Sequence, residues 1–243
     1  MAKPIELIET VVDCDIPLAG AIKASLAEAQ NLAGKLNRDV LGMPGMSGRK
    51  FRFLLNNLVG RIADPRYLEI GCWHGSTFCA ALHGNKVMAL AIDNWSQFGG
   101  PSAEFFANLS RNCSRKTSVS VLTADFRSVN YATVGRYNIY FFDGPHAAQD
   151  HYDALAVTLP ALDDTFVFIV DDWNWEQVRR GTFEALSRLR LHVAYQMTIR
   201  TSLDGTVPNI QRGDSDWHNG YFLSVLAQCP SAQRIVSGMP SGV

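Results

Sequence analysis

Two hydrophobic runs in this chain stop at acids. YFFDGPH leaves Asp143 at the end of one run with His146 three residues on, and FIVDDW leaves Asp171 and Asp172 at the end of the next. Carboxylates gathered at the ends of adjacent strands repel one another unless a cation or a proton intervenes. An all-oxygen set with room for water and a substrate hydroxyl suits Mg²⁺. Helix capping is the plainer alternative, and Asp172 could serve it for the residues from Trp175 onward. His146 is the right residue type to take a proton near neutral pH, its plainer reading being a solvated turn residue. His151 reads as a surface or supporting residue, and Asp150 can reach back to His146 if the following helix starts early enough.

A second constellation precedes the acids. YLEIGCWHGST puts Glu69, Gly71 and Gly75, with Ser76 directly after, at the exit of an apolar run. In a doubly wound sheet the ligand crevice lies beyond the carboxyl ends of the strands, and glycines there let a ligand approach the backbone. The spacing E-x-G-x-x-x-G departs from the G-x-G-x-x-G of dinucleotide enzymes. Asp93 ends the next run, where a carboxylate can accept from ribose hydroxyls, and Asp125 ends the one after, where an adenine amino group could be met. Strand-end glycines and aspartates occur in many sheets, so their order carries more than any one of them.

Aromatic residues and loops supply walls. NWSQFGGPSAEFF combines Trp95 and Phe98 with Gly99, Gly100 and Pro101, a makeup suited to a loop over a crevice. GMPGMSGRK, with Ser47, is placed to cover the crevice from the other side. Trp173, Trp175 and the SDWHNG turn, with Trp217 and His218, could stack on a sugar ring, although aromatics near strand ends more often pack in the core.

Taken in order, these segments resemble class I S-adenosylmethionine-dependent methyltransferases over residues 66–227. The resemblance implies that S-adenosylmethionine is bound by Glu69, Gly71, Gly75, Ser76, Asp93 and Asp125, with Ser47 contributed by the covering loop. The pattern D-x-x-H followed by D-D is similar to the macrocin and mycinamicin type of sugar O-methyltransferase. That similarity implies Mg²⁺ held by Asp143, Asp171 and Asp172, and His146 as the general base. The novobiocin type carries its base two residues after the first ligand, where this chain has Pro145. The implied acceptor is a sugar or glycoside hydroxyl, a mycobacterial methylmannoside being one narrower case. A catechol-like phenol, a nucleotide-binding oxidoreductase or hydroxylase on a similar sheet, and a non-catalytic scaffold are the competing readings.

These residues need a scaffold that presents strand ends side by side. Apolar runs at 67–70, 87–92, 119–122, 139–142 and 166–170 alternate with helical stretches, the last at 173–189, and that alternation predicts a parallel sheet covered on both faces. Runs at 193–201 and 220–227 read as a closing antiparallel hairpin. The expected fold is therefore α/β, a doubly wound, mostly parallel seven-stranded sheet. An N-terminal extension at 1–63 carries helices over 17–41 and 50–63, the core occupies 64–228, and 229–243 reads as a loose tail. With 47% apolar residues among 243, one domain can bury a full core. A net charge of −1 offers no basic face for nucleic acid, which leaves a small-molecule partner, and self-association is left open. Five cysteines without CxxC spacing read as reduced thiols. An acidic N-terminus and the lack of a ~20-residue apolar stretch predict a cytoplasmic protein without a membrane span.

Overall fold

The computed structural model describes residues 5–208 and 215–228. In chain order the elements are β1 (Leu7–Val12), α1 (Pro17–Gln30), α2 (Arg38–Leu41), α3 (Arg49–Arg61), β2 (Arg66–Ile70), α4 (Ser76–Leu82) and β3 (Val87–Asp93). They continue with α5 (Ser102–Asn112), β4 (Thr117–Thr123), β5 (Tyr137–Phe142), α6 (Ala148–Thr158), β6 (Leu162–Val170), α7 (Glu176–Arg188), β7 (His192–Arg200) and β8 (Tyr221–Ala227). The doubly wound sheet is present in the order β1-β7-β8-β6-β5-β2-β3-β4. Strands β4, β3, β2, β5 and β6 run parallel, and β8, β7 and β1 complete the sheet antiparallel.

The sheet thus has eight strands and not the expected seven. The added strand is β1, whose backbone zips onto the edge of β7 from Leu7 opposite Arg200. The single helix expected over 17–41 is also two. Its first part stops at Gln30, Leu32 takes a left-handed φ of 50°, and α2 restarts on an Asn37 side chain that accepts from Val40 N at 3.0 Å. The tail at 229–243, with Cys229, lies outside the described residues.

Strand β5 is buried along all six residues, as the interior of a parallel sheet requires, which is why 139–142 is an unbroken apolar run. One core layer packs α1, α3 and α4 against the sheet through Phe51, Leu55, Phe78 and Tyr221. The opposite layer packs α6 and α7 through Leu155, Val178 and Leu186. Strand β2 pairs with β3 on one side and β5 on the other, so the chain reverses direction across the sheet at β2. A crevice opens at the carboxyl ends there.

Candidate functional site

The glycine turn is shaped by contact, not by flexibility. Gly71, at φ +87°, donates to Ile92 O at 3.0 Å, and a Cβ on it would collide with the Asp143 carbonyl oxygen. Gly75, at φ +84°, starts α4. Asp93 braces the turn: one carboxylate oxygen accepts from Cys72 N and Trp73 N at 2.7 and 2.8 Å, and the other from Trp95 N at 2.7 Å. Asp93 also lines the cavity beyond, with lone pairs to spare. Asp125 lines it too, and accepts from Arg127 N at 2.8 Å. Glu69 is the correction. It is fully buried under the turn, takes hydrogen bonds from Thr77 Oγ1 at 2.6 Å and from the Tyr67 hydroxyl, and does not reach the cavity wall. Burial lifts its carboxyl to about 8 against those two bonds, and its place is beneath the ligand crevice and not on its wall.

The loop before α3 closes the same space, held by a residue that the sequence did not single out. Arg52 is buried. Its Nη1 donates to the carbonyls of Val40, Leu41 and Met43 at 3.1–3.2 Å and its Nε to Ser47 Oγ at 2.9 Å. Burial lowers its pKa to about 10. Ser47 and Ser76 both line the cavity. The loop is latched at its far end, where Lys50 N donates to Asp216 O at 3.1 Å and Arg49 pairs with the Asp216 carboxylate at 2.8 Å.

The acids meet at the other end of the cavity. Burial, then the charges of Asp171 and Asp172, hold the Asp143 carboxyl well above the ordinary carboxylate range, and burial with Asp172 does the same to Asp171. Asp172 is also pushed up by burial, but the hydrogen bond from His146 pulls it below its ordinary value. His146 Nε2 lies 2.9 Å from Asp172 Oδ2, and Asn219 Nδ2 donates to Asp172 Oδ1 at 2.7 Å. Asp150 is not the partner of His146, because its carboxylate is taken by Arg127 and by Ala147 N. The expected metal ligands Asp143, Asp171 and Asp172 all lie in this cluster, joined by two imidazoles. The ligand atoms that converge within 4.8 Å are those of Asp143, His146 and Asp172, and those of Asp171, Asp172 and His218, with Asp172 common to both. Helix capping does not account for Asp172, since no side chain caps α7.

The aromatic expectations divide. Trp95, Phe98, Trp175 and His218 line the cavity. Trp173 and Trp217 do not: Trp173 packs in the core 4.5 Å from Phe222, and Trp217 is fully buried in the opposite layer. Trp73 joins the wall unforeseen. Of the eight described non-glycine residues with left-handed φ, five (Trp73, Trp95, Phe98, Asp172 and His218) line this one cavity. Strained backbone of this kind gathers where function fixes geometry.

The cavity measures about 330 Å³, within the ~300–1,000 Å³ of small-molecule sites. It sets a polar glycine turn, Asp93 and Asp125 against a cluster of acids and imidazoles. Residues 68–173 match the family model described as a methyltransferase domain. That stretch contains both constellations. No curated protein matches the chain. Among solved structures, TrmN from Thermus thermophilus is similar at 14% identity with a TM-score of 0.52, over 79% of this chain and 52% of that one. Cofactor-bound Rv0187 from MTB is similar at 16% identity with a TM-score of 0.52, over 87% of this chain and 90% of that one. This chain therefore spans about half the length of TrmN, and at these identities the likeness shows a shared fold alone.

Proposed function

We propose that this chain is an S-adenosylmethionine-dependent O-methyltransferase, aided by Mg²⁺ or a similar hard cation, that methylates a hydroxyl of a sugar or glycoside. The observation that carries this reading is one cavity with the braced glycine turn on one side and Asp143, His146, Asp171 and Asp172 on the other. The methyltransferase match over both constellations, and a fold relative solved with its cofactor bound, support it. They favour it over an oxidoreductase or a scaffold.

The cofactor would supply a methyl group on a sulfonium centre, and the cation would lower the pKa of a nearby hydroxyl. The residues present fit both groups. Gly71 and Gly75 allow close approach to backbone, Asp93 has lone pairs left for ribose hydroxyls, and Asp125, Ser47 and Ser76 offer further polar contacts. Burial and mutual repulsion raise Asp143 and Asp171, and a cation would relieve that repulsion, so Asp143, Asp171 and Asp172 would hold it. His146 would take the acceptor's proton, and the Asp172 carboxylate 2.9 Å from its Nε2 would hold the resulting imidazolium. Trp95 and Trp175 would offer flat faces to the C–H bonds of a ring, with the exposed Phe98 at the rim.

The same aromatic wall, with Trp73, favours a second acceptor class, a catechol-like phenol. The acceptor is a small molecule in either case, given a net charge of −1, and no helix among the described residues is long and apolar enough to cross a membrane. Methyl transfer from labelled cofactor to a panel of sugars, glycosides and catechols, with Mg²⁺ or with EDTA, tests the reading. Transfer to a sugar hydroxyl that stops in EDTA is expected. Transfer to catechols alone moves the acceptor to the second class, and failure to bind the cofactor by calorimetry overturns the proposal.

A further inference from the structure

The acid end of the cavity carries an imidazole that the chemistry above does not use. His218 is 8% exposed, and its Nδ1 is buried with no hydrogen-bond partner. At that burial the ring has little face to stack on an acceptor. One of its ring nitrogens lies within 4.8 Å of a carboxylate oxygen of Asp171 and of one of Asp172. Among the described residues the imidazole–carboxylate pair is that of His146 with Asp172, so His218 approaches two acids without pairing with either. Ligand atoms across one ion are spaced in this way, because two bonds of about 2.0–2.2 Å set them up to roughly 4.4 Å apart. A buried imidazole left without a hydrogen bond is the kind of group that an ion satisfies.

We propose that His218 is a cation ligand together with Asp171 and Asp172, which makes the site a mixed nitrogen–oxygen one that takes a transition ion such as Mn²⁺ in preference to Mg²⁺. Oxygen-only sets suit Mg²⁺, whereas an imidazole nitrogen adds affinity for divalent transition ions. The backbone holds the ring in place for this task. The His218 carbonyl accepts from Thr201 Oγ1 at 2.6 Å, and that oxygen accepts from Asn174 Nδ2 at 2.8 Å. Asn174 N donates to Asn219 O at 2.9 Å, and Asn219 Nδ2 closes the circuit on Asp172 Oδ1 at 2.7 Å. The turn that carries His218 and the loop that carries both acids are thus tied into one piece, as a preorganised ligand set requires.

The inference rests on the cation of the proposed function, but its test does not need turnover. In the full chain labelled with ¹⁵N-histidine and loaded with Mn²⁺, pulsed electron paramagnetic resonance reports whether a histidine nitrogen is bonded to the ion. The expected result is a ¹⁵N coupling in the parent that persists in His146→Ala and vanishes in His218→Asn. Asparagine tolerates the left-handed φ of 45° at this position and offers an oxygen in place of the nitrogen. By calorimetry His218→Asn should lose roughly 10-fold or more in Mn²⁺ affinity, with little change for Mg²⁺. The His146→Ala spectrum carries the test even where the Asn variant does not fold, because His218 is then the one imidazole left beside these acids among the described residues. No coupling in the parent, its loss in His146→Ala, its persistence in His218→Asn, or failure of Mn²⁺ to bind overturns the proposal. A chain that shows the expected couplings but transfers no methyl group keeps His218 as a ligand and removes the proposed function instead. Methyl transfer that stops in EDTA, from a chain without the coupling, does the reverse.

Discussion

Glu69 shows what one buried carboxyl does to the turn above it. The unfolded chain releases this proton near the ordinary value of 4.5, whereas the folded chain keeps it up to about 8. Between those values the folded state binds more protons, so this group's contribution to stability falls as pH rises through that window and is level above it. Glu69→Gln should flatten the melting temperature between about pH 5 and 8, and equal slopes in parent and variant would show an ordinary carboxyl. His146 has two possible duties, because its nitrogen lies within ligand reach of Asp143 and Asp172 as well as beside the reaction. His146→Ala should lower kcat by about 10²–10⁴ while Mg²⁺ affinity holds; a parallel loss of cation affinity in a binding titration would make it a ligand. The acids, the histidine and the glycine turn were legible as residues because strand ends fix where they emerge. Trp173 and Trp217 were misread because the sequence shows that they follow a strand or precede one, and not which side of the sheet they face.

Gly71→Ala probes how the elements around the turn are held together. The left-handed φ and the Asp143 carbonyl leave no room for a methyl group, so the parting of β2 and β5 should cost roughly 2–4 kcal/mol in a denaturant titration. A change below about 0.5 kcal/mol would show that the two strands give way easily. Arg52→Met keeps the apolar stem but drops the bonds to three carbonyls and Ser47. It should weaken cofactor binding about 10-fold, equivalent to one lost hydrogen bond of ordinary strength, and open the loop before α3 to limited proteolysis. Unchanged affinity and unchanged cleavage would leave Arg52 a packing residue. The central strands were readable because both of their faces are buried, giving mostly apolar runs. β1 was not, since half of its residues are exposed and its register comes from β7, far away in the chain. The break after α1 was also invisible, because it depends on a left-handed Leu32 in a sequence that continues its helical spacing.

The whole molecule carries an electrostatic debt at the acid cluster that a divalent cation would relieve. Binding to the folded state alone at 100 times Kd adds ~2.7 kcal/mol, and for a chain of this size that is roughly 5–10 °C in melting temperature. Scanning calorimetry in MgCl₂ against NaCl of equal ionic strength should show the rise, and coincident transitions would remove the cation from the site. The contact between Gly71 and the Asp143 carbonyl extends further than either residue. It packs the backbone of the glycine turn against the backbone at the end of β5, so the relative height of turn and Asp143 is set by backbone contact and not by side chains. The walls carrying Trp95, Phe98 and His218 hang from loops outside that contact. Substitutions in those walls should therefore leave the contact between Gly71 and Asp143 in place.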